Sequence, residues 1–276
     1  MSSTSLTEEE FARFITLIYK TSGIRIPPTK RILVSNRIRR RLVATGIEAY
    51  AKYYSFLTSA AGLREMPLFL DEITTNETYF YRDVHQYDWF SDKFLPELVQ
   101  QARLGKRPKR LRIWSAAASN GSELYSLAIR LLEKKSLLTG WTFKLIGTDL
   151  SGAILDSARR GTYDTRTLRL VDPDLKRKYF DETAEPGEWA IKSEVRSLVH
   201  WKSHNLLRPT PEEPFDCVFL KNVLIYFDAG SKAIVAEHIT KALVPGGYLV
   251  LGPTEVMSSL LGDLTKRQTW LYQKMC

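Results

Sequence analysis

The sequence predicts an α/β fold in which an all-helical N-terminal domain precedes a doubly wound, mostly parallel sheet. Two observations carry this expectation. Residues 1–75 show helical spacing of apolar positions and no alternating strand pattern. From residue 110 onward, short runs rich in β-branched and aromatic residues alternate with amphipathic segments, as right-handed strand–helix–strand crossovers require. At 276 residues the chain has room for a small and a medium domain, against a norm of ~150 residues each. The boundary is placed at residue 83, giving a helical domain over 1–83 and an α/β domain over 84–276.

In order, helices are expected over 8–20, 30–43, 47–58 and 64–73, punctuated by Gly23, Gly46 and Gly62, with Thr29 as N-cap of the second. A longer helix should cover 84–104. Strand 110–115, helix 122–134, strand 143–148 and helix 151–160 follow. Residues 161–196 are less regular. Strands 198–202 and 215–221, helix 231–243, strand 248–251 and a final strand 270–274 complete the series.

Composition narrows the class. Apolar residues make up 44% and charged residues 26%, which is globular rather than disordered or fibrous. No apolar run approaches the ~20 residues that span a bilayer. The start, MSSTSLTEEEF, lacks a basic stretch followed by an apolar core, so no secretory leader is expected. Cys217 and Cys276 are too few for a disulfide framework or a structural zinc site. A soluble, cytoplasmic protein is the expectation.

The net charge of +9 is unevenly placed. Residues 20–52 carry nine Lys/Arg and the single acid Glu48, and residues 103–112 carry six Lys/Arg and no acid. On a helical projection of 30–43, at ~100° per residue, Val34, Ile38 and Leu42 share an arc that should face a core. Lys30, Arg37, Arg40 and Arg41 share a separate arc. Such a row of cations is either a solvated face or a docking surface for an anionic partner, nucleic acid or an acidic protein helix.

Ligands of open α/β sheets sit beyond the carboxyl ends of the strands. After the first predicted strand comes Ser115-Ala-Ala-Ala-Ser-Asn-Gly121. Its small residues permit either close approach of a ligand to the backbone or tight strand–helix packing. It is neither a GxGxxG loop nor a phosphate loop. Asp149 ends the second strand, where an acid either binds a ribose diol or caps the next helix. Lys221-Asn222 ends the fourth and leads into the apolar run 223–227. A small-residue loop with a ribose-type acid and no phosphate machinery points to an adenosine ligand such as S-adenosylmethionine. His85, His200, His204 and His238 lack ligand spacing with Cys217 or a carboxylate cluster, so no metal is expected, and His200 and His204, which flank a predicted strand, read as structural. Tyr226 either lines an acceptor channel or packs within its apolar run.

Five motifs carry a resemblance. They are Thr75-Asn-Glu-Thr-Tyr-Phe-Tyr-Arg-Asp83, Arg112-Ile-Trp-Ser-Ala-Ala-Ala-Ser-Asn-Gly-Ser-Glu-Leu-Tyr-Ser126, His204-Asn-Leu-Leu207, Asn222-Val-Leu-Ile-Tyr-Phe227 and Leu243-Val-Pro-Gly-Gly-Tyr-Leu-Val-Leu-Gly252. Over essentially its full length the chain resembles the CheR family, the chemoreceptor glutamate methyltransferases of bacterial chemotaxis. The resemblance implies a Rossmann-like class I methyltransferase sheet with an all-helical N-terminal domain and a small β insertion at about 165–196. It implies S-adenosylmethionine as methyl donor and S-adenosylhomocysteine as product. By motif position it points to Asn76, Thr78, Arg82, Glu123, Asp149, Asn205, Leu206, Asn222 and Val223 as cofactor contacts. It assigns the Lys30/Arg37/Arg40/Arg41 face to docking on acidic cytoplasmic helices of chemoreceptors. Two departures stand out. Gly121-Ser-Glu-Leu-Tyr-Ser126 replaces the family's Gly-Glu-Glu-Pro-Tyr-Ser, and Leu220-Lys221 replaces its Cys-Arg, keeping the charge but losing the guanidinium fork.

The implied chemistry asks little of the protein. A glutamate, with a pKa of about 4.3, arrives ionised at neutral pH, so no general base is required. Arg82 and Tyr226 are then candidates for orienting the reactants rather than for proton transfer. Nucleic-acid amine methylation is disfavoured, because Asn222-Val-Leu-Ile stands where an Asp/Asn-Pro-Pro-Tyr motif would be. The alternative is a cofactor-binding signalling adaptor of the same fold with weak or no turnover, suggested by Ser122 and Leu124.

Overall fold

The computed structural model describes residues 5–255 and 260–275; Cys276 lies outside them. Helix α1 (Glu8–Ser22) begins at a capping box in which the Thr7 side chain accepts from the Glu10 amide, and ends at Gly23 with φ 75°. Helices α2 (Arg31–Thr45), α3 (Tyr50–Leu57) and α4 (Glu65–Ile73) follow. Thr29 is not a helix cap. It lies inside a 3-10 turn, Pro28–Lys30, that leads into α2 without a side-chain cap. Phe14, Ile18, Ile38, Tyr53 and Phe69 form the buried centre of this helical part, and Val34 and Leu42 join it as the spacing required.

The cation row on α2 is only partly presented. Arg41 is a correction: its guanidinium donates twice to the Glu65 carboxylate, at 2.8 and 2.9 Å, and is 16% exposed. Glu65 also accepts from the Tyr53 hydroxyl at 2.7 Å. Arg41 therefore belongs to a buried bidentate pair. Arg37 donates to the Ile73 carbonyl and, at 3.0 Å, to Thr75 Oγ1. Lys30 and Arg40 are exposed, Arg40 beside Glu72 at 3.2 Å. Half of the second basic run is paired: Arg107 with Asp216 at 2.7 Å, Arg110 with Glu213 at 3.1 Å and Arg112 with Glu212 at 3.4 Å.

The long helix expected over 84–104 forms as α5 (Val84–Trp89), a π-turn Phe90–Phe94 and α6 (Leu95–Arg103). Pro96 in the first turn of α6 has no N–H for the usual i−4 bond, which explains the widened turn before it. The remaining elements are β1 (Arg110–Ser115), α7 (Ser122–Glu133), β2 (Thr142–Asp149), α8 (Gly152–Arg160), β3 (Thr162–Asp164), α9 (Pro173–Tyr179), β4 (Phe180–Glu182), β5 (Glu188–Ile191) and α10 (Ser193–Arg196). Then come β6 (Val199–Ser203), β7 (Phe215–Leu220), α11 (Ala229–Lys241), β8 (Leu243–Leu251), β9 (Leu264–Lys266) and β10 (Leu271–Lys274).

The main sheet has the order β6-β2-β1-β7-β8-β10-β9, parallel from β6 to β8 with β10 and β9 antiparallel. The chain winds one way from β1 to β2 and β6, then returns to the other side of β1 as β7. The crevice between β1 and β7 is the switch point where a ligand belongs. The insertion is a three-stranded antiparallel sheet, β3-β5-β4, and begins at Thr162, earlier than the expected 165. β8 also starts earlier than expected, because Pro245-Gly246-Gly247 is carried inside the strand. No helix among the described residues is long and apolar enough to cross a membrane.

Candidate active site

The loops after β1, β2, β6 and β7 enclose one cavity of about 1050 Å³, counting the open space at its mouth. Asn76, Thr78, Arg82, Glu123, Asp149, Asn205, Leu206, Asn222, Val223 and Tyr226 all line it. None of Lys30, Arg37, Arg40 and Arg41 does, although Arg37 grips Ile73 and Thr75 on its rim.

The wall after β1 is bare by construction. Ala116, Ala117, Ala118 and Ser119 line the cavity, and Ser119 adopts a left-handed φ of 50°. The glycine at the end of the loop answers a different need. A Cβ on Gly121, at φ 87°, would sit 2.8 Å from the Trp201 ring, so here packing dictates the small residue. Ser122 and Leu124 are accommodated. The Ser122 amide and hydroxyl both donate to Asn120 Oδ1, at 3.1 and 2.7 Å, and Leu124 is fully buried.

Asp149 does not cap α8; Ser151 does, accepting from the Ile154 amide. The Asp149 carboxylate instead accepts from the Ser119 amide at 2.9 Å and the Ser151 amide at 3.0 Å, bracing the β1 and β2 loops. Burial pushes its carboxyl up, against the pull of the Ser151, Ser119 and Leu150 amides. Glu123 is buried beneath the cavity, where it accepts from the Ser115 hydroxyl at 2.7 Å. Burial raises its carboxyl too, opposed by the charge of Lys221 and by that hydrogen bond.

Lys221 is the hub. Its side chain is 2% exposed, and Nζ donates to the Arg82 carbonyl at 2.9 Å. It also lies 3.2 Å from Asp83 and 3.7 Å from Glu123. One ammonium thus ties the end of β7 to segment 74–83, where Tyr81 and Asp83 sit at left-handed φ of 56° and 64°. The ammonium serves three partners, one carbonyl and two carboxylates.

Several contributors escaped the sequence reading. Glu255 is buried and accepts four backbone amides: Asn222 at 2.7 Å, Val223 at 2.9 Å, Leu224 at 2.7 Å and Gly252 at 2.8 Å. The only sequence signal was an acid at a strand end, in Gly252-Pro-Thr-Glu255. His204 lines the cavity, packs edge-on against Trp114 and leaves Nε2 buried without a protein partner. Burial lowers its pKa, which favours the neutral ring. Ser22 and Ile24, from the end of α1, also line the cavity. They are stapled over it by the Ile24–Phe227 bridge, by the Arg25 amide donating to the Tyr226 carbonyl at 2.8 Å, and by Asn205 Nδ2 donating to the Thr21 carbonyl at 2.7 Å. Among the described residues no group of acids, histidines and cysteines has the arrangement of a metal site.

Comparison with known proteins gives this geometry a lineage. Residues 76–271 match the family model described as CheR methyltransferase, SAM binding domain, and residues 9–74 match the one described as CheR methyltransferase, all-alpha domain. The chain belongs to the CheR methyltransferase family. It is 37% identical over 262 residues to chemotaxis protein methyltransferase 1 of Pseudomonas aeruginosa, covering 93% of each chain. It is 33% identical over 272 residues to the chemotaxis protein methyltransferase of Salmonella typhimurium, covering 97% of this chain and 91% of that one. The cavity thus lies in a CheR-type S-adenosylmethionine-binding domain, and the helices that roof it are the all-alpha domain of the same family.

Proposed function

We propose that the protein transfers the methyl group of S-adenosylmethionine to glutamate side chains on the cytoplasmic helices of chemoreceptors, giving glutamate methyl esters and S-adenosylhomocysteine. The observation that carries this reading is the convergence of both family-specific segments, 76–82 and 222–226, on one cavity whose rim is gripped by the cationic helix α2 through Arg37.

The residues present suit the donor. The Asp149 carboxylate has lone pairs left for a ribose diol. Leu206 and Val223 offer apolar surface to a flat base, with the unpartnered His204 Nε2 close by. Asn76, Thr78 and Arg82 are polar groups for the aminocarboxylate end, above the buried Glu123. Any side chain longer than alanine at 116–118 would fill the space. When bound, S-adenosylmethionine supplies a methyl group on a sulfonium, open to in-line attack by an oxygen.

The protein's share is positioning. A glutamate carboxylate needs no base, so rate depends on holding it in line at about 3 to 3.5 Å from the methyl carbon. Positive and negative charge cancel as that bond forms, so a tight cationic clamp on the acceptor would favour the ground state. Arg82 and Tyr226, at the mouth, orient the acceptor and shield it from water. Lys30 and Arg40 are exposed to draw in an acidic helix.

The test uses radiolabelled S-adenosylmethionine with receptor-rich membranes. Base-labile label on receptor protein is the expected result. Binding of S-adenosylhomocysteine without transfer to any receptor would replace this reading with that of a signalling adaptor.

A further inference from the structure

A second cleft opens beside the cavity and shares Asn76, Glu77, Thr78 and Arg82 with it. Its far wall is the loop after β3, which contributes Arg166 and Arg169. The Tyr79 ring lies close to two guanidinium groups here. Arg169 Cζ lies 3.4 Å and Arg82 Cζ 5.7 Å from the ring centroid. Each is further fixed by a backbone carbonyl, Arg82 by Glu77 at 3.3 Å and Arg169 by Arg166 at 2.8 Å. Among the described residues neither has an acidic partner, whereas Arg166 is already paired with Glu77 at 3.2 Å. The other acid of the cleft, Asp164, is engaged by the Thr167 amide at 2.7 Å.

A guanidinium stacked on an aromatic ring has given up much of its rotamer freedom, yet still offers a planar fork to a carboxylate. Such a group, with no ion-pair partner and in a cleft that shares Asn76, Thr78 and Arg82 with the methyl-donor cavity, is poised for an anionic part of the incoming substrate. We propose that this cleft binds a second carboxylate of the methyl-acceptor segment, close in sequence to the glutamate that enters the cavity, with Arg169 as its principal contact. This rests on the reading above that the acceptor is an acidic protein segment. Because Glu77 and Asp164 balance part of the charge, the cleft selects one carboxylate rather than a run of them.

Intact protein and S-adenosylmethionine would be given helical peptides with one acceptor glutamate. A second glutamate would be placed at each neighbouring position in turn, with glutamine counterparts for comparison. At the favoured position, kcat/KM should exceed that of the glutamine counterpart about tenfold, and Arg169→Gln should cut this ratio below about twofold. Arg169→Lys, which keeps the charge and loses the fork, should fall between. S-adenosylhomocysteine affinity should be unchanged in both variants; if Arg169→Gln lost it, Arg169→Lys would carry the comparison. A ratio that persists in the variants, or no preference in the unaltered protein, overturns this inference and leaves the methyltransferase reading intact. Failure to methylate every peptide and receptor membranes too, with S-adenosylhomocysteine still bound, overturns that reading and the inference together.

Discussion

Glu255 holds Asn222 in a left-handed turn: its carboxylate accepts the Asn222 amide at 2.7 Å while Asn222 sits at φ 57°. The same carboxylate takes the amides of Val223, Leu224 and Gly252. A Cβ on Gly252 would lie 2.6 Å from Glu255 Oε2, so that residue must be small. Asn222 and Val223 line the cavity, and Glu255 therefore acts on a ligand through the loop it shapes. Glu255→Ala leaves four amides without an acceptor. Stability should fall by about 3 kcal/mol and S-adenosylhomocysteine affinity by about 30-fold or more. Glu255→Gln, with a single acceptor oxygen, should recover only part of each. Titration calorimetry and urea unfolding read the two effects, and wild-type affinity in Glu255→Ala would refute the positioning role.

Lys221→Met should be costly in a pH-dependent way. It leaves Glu123 and Asp83 without their shared cation, a loss of about 3 to 5 kcal/mol near neutrality. Glu123 is already raised by burial, and without the ammonium its carboxyl moves further up. A carboxyl whose folded pKa exceeds its unfolded one contributes stability that is full at low pH and lost as pH rises through the folded value. The deficit of the variant against wild type should thus grow as pH rises across the range above the ordinary carboxyl pKa. Urea midpoints across that range measure it; a constant deficit would reject the electrostatic account.

Two neighbours on α2 should behave oppositely. Burial alone would raise the Glu65 carboxyl, but hydrogen bonds from Arg41 and Tyr53 and the charge of Arg41 outweigh it and hold it below the usual range. Glu65 therefore contributes stability above the ordinary carboxyl pKa, and this is lost as pH falls through the folded value. Arg41→Met should destabilise by about 3 kcal/mol or more. Arg40→Gln breaks only an exposed pair, worth below about 1 kcal/mol, and should lower receptor methylation with stability intact. Thermal melts set against methylation assays separate the two; equal melting losses would contradict the assignment.

Asp149 should make ligand affinity pH-dependent. Burial raises its carboxyl, so the anion proposed to receive the ribose diol is lost at a higher pH than for an ordinary aspartate. S-adenosylhomocysteine affinity in the wild type should decline on acidification from above about pH 4. Asp149→Asn should weaken binding about 10- to 100-fold at neutral pH and flatten that decline. Calorimetry at several pH values decides, and an unaltered slope in the variant would exclude Asp149 as the titrating group.

Much of this architecture is legible in the sequence because it is locally encoded. The short strand-like segments at 110–115 and 215–221 and the 3.6-residue spacing of Val34, Ile38 and Leu42 each specify their element without distant help. The site is legible where a strand end announces it, as at Asp149 and Asn222. What stays hidden depends on partners far along the chain. Arg41 looks like a surface cation until Glu65 arrives from α4, and Glu255 looks like an ordinary loop acid until four amides converge on it. β3 and β9, three residues each, are too short to show an alternating pattern. His204 has no metal-ligand spacing, and only the fold brings it beside the cavity.

The staple from α1 has a further consequence. Ser22 and Ile24 furnish part of the cavity wall, and α2 starts at Arg31, a few positions later. A protein shortened to its α/β half would lose these wall residues and leave the cavity more open to bulk solvent. The two halves thus share one chamber wall, and under the proposed docking a receptor pressing on α2 would press close to the segment that closes it.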